Sequence, residues 1–432
     1  MNYRNEVKKF CWISIAGVLF ISYAMHANGA LFSFLTIGTP LVLWRQMLFI
    51  VGLLIIFQIP KQLFANNAAV KNITIVHLVY LVYLAFSSLY VYIGFGFNDV
   101  RIAYSWWLYL CGVPFFFLPI IYFKKNGSAL VFFRYFAILG VFQGVGLAID
   151  ANTTLFHIVK YAAFGQETVE MAYEGENRAS FLSDSITSFS VSYAFSILSL
   201  LWLFYKEKKM YFSFLYLFGA CICVSGAWFT GSRQIFICMV TILLAGVGWL
   251  VVWGNGRHKI VIAISVIVTL VCFGKPLGDF LLSNEELNQR YSVEYTDGDP
   301  RVQMWKSGVD SSFSPSCFRY LIIGHGISYA SGQKALAGEV VGSHYENTIF
   351  HRISEVGLLG TLIYLYPVYY LLMALYRSRW GYFEFLSFCI VVLYLFVAMV
   401  SPNGAYPLTM MTMYMLCGMC TGTVRNKLEC VN

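Results

Sequence analysis

The densest run of side chains able to do acid–base or anion chemistry lies between Gly342 and Gly360. There His344, Glu346, Asn347, His351, Arg352 and Glu355 follow one another closely and lead into an apolar stretch. Wound as a helix, Asn347, His351 and Glu355 would share one face at i, i+4 spacing. Ionisable groups this near a hydrophobic span are functional candidates by default, because hydrocarbon penalises them. His344, Glu346 and His351 could also ligate a metal, but neither HExxH nor a comparable ligand spacing occurs, so no metal is expected. Three further signals precede this run: Arg233 after Thr230-Gly231-Ser232, Arg301 after Pro300, and His325 between Gly324 and Gly326. Arginine suits phosphate because its guanidinium stays charged and forks onto two oxygens. Taken singly, Arg233 reads equally as an arginine snorkelling to an interface, and each glycine pair as a tight turn.

The elements that must position these residues are set by composition. The 432 residues are 59% hydrophobic and only 12% charged, about half the charge of a soluble domain. Apolar residues recur in blocks of about twenty, long enough to cross ~30 Å of hydrocarbon as helices. Alternating polar and apolar strands are absent, which argues against a β-barrel. The expected fold is all-α: one polytopic membrane domain of about twelve transmembrane helices with a large periplasmic loop. Spans are expected near 10–26, 41–59, 73–93, 103–123, 129–148, 181–205, 211–229, 234–253, 260–281, 356–376, 382–400 and 405–423. Residues 27–44 fit a re-entrant segment, an interfacial helix or part of a longer second span. The start of the chain could imitate a signal peptide, but its removal would leave an odd helix count, so an uncleaved first span is expected.

Charge placement orients the bundle. Arg4, Lys8 and Lys9, then Lys61/Lys71, Lys124/Lys125, Lys206/Lys208/Lys209, Arg257/Lys259, Arg377/Arg379 and Arg425/Lys427 all fall on one face of a twelve-span arrangement. Short basic connections are cytoplasmic, so both termini are expected in the cytoplasm. The opposite face takes most acids and two long segments, 149–180 and 282–355; the second carries the candidate active-site residues. The net charge of +8 belongs to this alternation rather than to a nucleic-acid surface. Of the eleven cysteines, only Cys317 falls in a large loop, so no disulfide framework is available there.

In order along this topology, the motifs resemble those of the O-antigen ligases and O-antigen polymerases of bacterial surface polysaccharide synthesis. That family has Thr/Ser-Arg at the outer end of a span, matched by Ser232-Arg233, then an arginine early in a large periplasmic loop, matched by Arg301. Gly-x-Gly follows, matched by Gly324-His325-Gly326. The last motif, His-(Asn/Ser/Gln), nine residues, Gly-x-x-Gly, is matched by Asn347, Thr348 to Val356, Gly357 and Gly360. Its first position departs: ligases have histidine where this chain has Glu346, while His344 remains two residues earlier. Polymerases of the superfamily tolerate other residues there, which favours polymerase over ligase.

The resemblance implies a membrane glycosyltransferase of the inner membrane whose donor is a glycan on undecaprenyl pyrophosphate. Arg233 and Arg301 would grip the pyrophosphate, with Asn347 and His325 as further substrate-binding candidates. Glu346 would be the base for the acceptor hydroxyl, with His344 as the alternative, and no cofactor is implied. Its expected partners are the lipid-linked oligosaccharide, membrane lipids, a chain-length regulator and a flippase, with no nucleic acid. A lipid-linked oligosaccharide flippase or other twelve-helix transporter is the rival of a different class; it would place charges inside several spans and show similarity between halves.

Overall fold

The computed structural model describes residues 2–37, 39, 68–95, 106, 108–124, 127–153, 155–164, 179–183, 190–267, 318–327, 347–378, 380–400, 407–421 and 424. Every regular element among them is helical. In chain order these are α1 (Asn2–Ala27), α2 (Gly29–Thr36), α3 (Ala68–Phe95), α4 (Val113–Lys124), α5 (Ala129–Asn152), α6 (His157–Phe164) and α7 (Ser190–Lys206). They continue with α8 (Met210–Phe229), α9 (Arg233–Trp253), α10 (Phe318–Ile323), α11 (Thr348–Tyr376), α12 (Tyr382–Val400) and α13 (Pro407–Met419).

Among the described residues, six helices are long and apolar enough to cross a membrane: α3, α5, α8, α9, α11 and α12. Two shorter apolar helices cover Leu108–Lys124 and Ser190–Lys206. By length and composition the described residues are those of a helical membrane protein. Its outer surface agrees: α3 leaves Val79, Val82, Phe86 and Ile93 between 52% and 74% exposed. Water would not tolerate so extensive an apolar face on a monomer, whereas lipid tails match it.

α7 lies at the centre. Every side chain from Ser190 to Phe204 is buried, as befits a helix apolar on all sides. It packs against α5, α8 and α9, while α13 packs on α4 and α11 on α3 and α12. Between lipid-soluble helices there is no hydrophobic drive to associate, so small residues and close fit decide the pairing. The α5–α8 crossing follows this rule: a Cβ added to Gly226 would stand 2.6 Å from the Cα of Gly144. Most of the buried apolar side chains among the described residues form one connected core.

The chain bends by 98° between α1 and α2 at Asn28, two residues after the expected end of the first span, and Gly29–Thr36, within the segment left open at 27–44, is a separate short helix. Ala30 donates its N–H to the Leu182 carbonyl and Gln143 donates to the Ala27 carbonyl, which fixes the bend. One expected boundary moves: the span expected at 181–205 starts later, because residues 181–182 form a turn and α7 begins at Ser190. That turn is held by Asp150, whose Oδ2 accepts from the N–H groups of Ser180 (2.9 Å) and Phe181 (2.8 Å) and from Lys160 Nζ (2.6 Å). Hydropathy counts Phe181 and Leu182 as span; a buried carboxylate two residues beyond the expected end of the 129–148 span holds them in the connection.

Candidate functional site

The site is built on a broken helix. α11 carries Gly357 at φ 66°, ψ −178°, a conformation essentially reserved for glycine. The helix is thereby divided into a first part, 348–356, and a second, 358–376. Asn347 caps the first part, its Oδ1 accepting from the N–H groups of Ile349 (2.9 Å) and Phe350 (3.0 Å), while its Nδ2 donates to the Met399 carbonyl. Both ends of this amide are engaged in holding the helix start against α12.

A break inside a membrane helix strands carbonyl groups that hydrocarbon cannot solvate. Here the Gly324–Gly326 loop and α3 satisfy them. His325 N–H donates to Ser354 O (2.9 Å), Gly326 N–H to Glu355 O (2.8 Å), and the Tyr83 hydroxyl to Val356 O (2.7 Å). Tyr83 also reaches Ile323 O at 3.0 Å, and Ile327 N–H donates to Ser87 Oγ at 3.0 Å. The loop is thus clamped between α3 and the break. The approach is backbone to backbone: a Cβ on Gly324 would lie 2.3 Å from Glu355 O, and one on Gly357 would lie 2.2 Å from Ile322 O. The two glycine motifs of the sequence are the two halves of one contact, not independent turns.

Directly before the break sits a buried charged cluster. Arg352 Nη1 and Glu355 Oε2 are 3.4 Å apart, with side chains 1% and 3% exposed. The Tyr109 hydroxyl donates to the same Oε2 at 2.8 Å, and His351 Nε2 stands 3.5 Å from it. The Arg352 guanidinium carbon lies 3.8 Å from the centre of the Tyr109 ring and 5.1 Å from that of Tyr364. Such cation–π contacts reach about 2 kcal/mol when desolvated, and removing one partner of a buried ion pair costs about 3–5 kcal/mol. Yet Arg352 Nε and Nη2 have no hydrogen-bond partner, and neither has the hydroxyl of Tyr80. Each unmet buried donor costs roughly 1–3 kcal/mol.

The residues singled out by sequence are distributed as follows. His351 and Glu355 share a face as the i, i+4 reading expects, whereas Asn347 lies outside the helix as its cap. His325 is half-buried beside the break, its Nδ1 3.2 Å from Ser354 O; a hydrogen bond there places the ring proton on Nδ1. Arg233 is the first residue of α9, after Gly231 (φ 61°) and the N-cap Ser232, whose Oγ accepts from Ile235 N–H. The Arg233 side chain, Arg301, His344 and Glu346 lie outside the described residues. Tyr83, Tyr109 and Tyr80 carry no local signal, being tyrosines in apolar helices. Arg352 did carry one: an arginine three residues from a glutamate inside a membrane-length helix is a functional candidate on that ground alone.

Fold and site define a helical membrane protein with a broken helix, a glycine-docked loop and a buried arginine–glutamate–tyrosine cluster. Comparison with known protein families, characterised proteins and solved structures finds no match.

Proposed function

We propose that this chain is a surface-polysaccharide polymerase of twelve spans with cytoplasmic termini, joining undecaprenyl-pyrophosphate-linked repeat units at the periplasmic face of the bacterial inner membrane. The observation that carries the reading is the docking of Gly324-His325-Gly326 onto Ser354–Gly357. Two motifs that resemble the O-antigen polymerase and ligase pattern, separate in sequence, meet at one point, at the far end of the short helical part that Asn347 opens. In the proposed reaction, Glu346 takes the proton of an acceptor sugar hydroxyl, with His344 as the alternative base. That oxygen bonds to the anomeric carbon of the donor, whose bond to the pyrophosphate oxygen breaks. Arg233 and Arg301 hold the departing undecaprenyl pyrophosphate with forked hydrogen bonds. Positioned proton transfer typically contributes 10²–10⁴-fold.

A transporter reading draws on one specific observation: Arg352 and Glu355 are buried inside a helix of membrane-crossing length, where charges often line transport pathways. Deleting the gene in a lipopolysaccharide-making host and resolving its glycans on a gel separates the possibilities. A polymerase leaves core carrying one repeat unit. Bare core with long glycan accumulating on undecaprenyl pyrophosphate makes it a ligase. Bare core without accumulated polymer makes it a flippase. An unchanged ladder removes all three.

A further inference from the structure

We infer that Arg352 and Tyr80 form a buried binding site for a phosphate-class oxyanion, at a place to which the proposed reaction assigns no group. A guanidinium has more than one hydrogen-bonding edge. In Arg352 the Nη1 end is turned to Glu355 at 3.4 Å, and the flat face is stacked on Tyr109 at 3.8 Å. These contacts fix the plane of the group and leave Nε and Nη2 without partners, although the side chain is only 1% exposed. Nε–H and Nη2–H point the same way and make the side-on fork that grips two oxygens of one anion. Tyr80 packs edge-on against the same Tyr109, ring centres 5.8 Å apart, within range of the Arg352 charge, and its hydroxyl is likewise without a partner.

The Tyr109 hydroxyl donates to Glu355, and that of Tyr364 to Met410 Sδ at 2.9 Å, so neither offers its proton to a further oxygen. Native proteins pair nearly all buried polar atoms, so a cluster of unpaired ones points to a ligand, ion or water that completes it. Three donors, two forked and one from a hydroxyl, match the three terminal oxygens of a phosphate one to one. The oxyanion could belong to a lipid headgroup or to a free phosphate, and both present the same atoms to Arg352.

The test uses the full chain in phosphatidylcholine nanodiscs, which carry no net lipid charge, and calorimetric titration with four probes: farnesyl pyrophosphate, inorganic pyrophosphate, farnesol and glucuronate. Wild-type protein should bind a pyrophosphate probe saturably and neither farnesol nor glucuronate. Arg352→Lys should weaken that binding at least tenfold, and Tyr80→Phe about threefold to tenfold. Tighter binding of farnesyl pyrophosphate assigns the oxyanion to a lipid headgroup; equal binding of inorganic pyrophosphate assigns it to a free phosphate. Because Arg352→Lys could disturb folding, Tyr80→Phe keeps the test decisive. It removes only a hydroxyl with no partner and should leave thermal stability unchanged or raised. No saturable pyrophosphate binding, or binding that both variants leave intact, overturns the site and leaves a structural arginine. Sensitive binding in a protein whose deletion leaves the surface glycan unchanged would keep this inference and remove the polymerase reading.

Discussion

Gly357→Ala tests whether the glycine motifs form one contact. The residue stands at φ 66°, in a region that costs a non-glycine residue of order 1–3 kcal/mol. Its new Cβ would meet Ile322 O at 2.2 Å, Ile322 C at 2.4 Å and Gly324 N at 2.5 Å. All three are backbone atoms, so no side chain can swing aside, and overpacking adds about 1–3 kcal/mol. The sum, about 2–6 kcal/mol, exceeds the roughly 1 kcal/mol that each of the hydrogen bonds holding the loop contributes net. The loop should therefore lift from the break, exposing the carbonyls of Ser354, Glu355 and Val356. Activity should fall at least tenfold by glycan gel, and unfolding of the purified protein, followed by tryptophan fluorescence, should begin at lower temperature. Gly324→Ala should do the same, and the double variant should cost less than the sum, because both substitutions break one contact. Gly248, on α9 with nothing within 4 Å of an added Cβ, is the control; alanine there should be neutral or stabilise by up to about 1 kcal/mol. Wild-type stability and glycan length in Gly357→Ala would refute the docking argument.

Three other outcomes follow from the proposed reaction and topology. Arg233→Lys and Arg301→Lys should each lose most activity despite the retained charge, since an ammonium cannot fork onto two oxygens; normal glycan length at wild-type protein level in both would remove the clamp. Glu346→Gln should reduce turnover by roughly 10²-fold or more with lipid binding retained, and activity should survive EDTA; an inactive His344→Ala beside a normal Glu346→Gln would move the base to His344. Single cysteines replacing Ser292 and Ser331 should react with an impermeant thiol reagent added from the periplasm, and labelling only after lysis would reverse the topology.

The sequence by itself determined the class of this protein. Low charge and apolar blocks of about twenty residues are properties of each helix against its solvent, and they are legible locally. The i, i+4 pair His351–Glu355 was legible for the same reason, because neighbours along the chain make it, whereas Asn347, read onto the same face, caps the helix instead. Only tertiary structure decided how the site is assembled. Tyr109 reaches Glu355 across 246 positions, and Tyr83 reaches Val356 across 273; a tyrosine in an apolar helix does not announce its partner. The late start of α7 escaped hydropathy likewise, since Asp150 acts between segments. The glycines show the division most plainly. Their spacing marked tight backbone, but whether Gly324 and Gly357 turned separately or met was a question of which helices pack together. Inside a bilayer that is decided by close steric fit rather than by hydrophobic burial, and steric fit exists only once the helices are side by side.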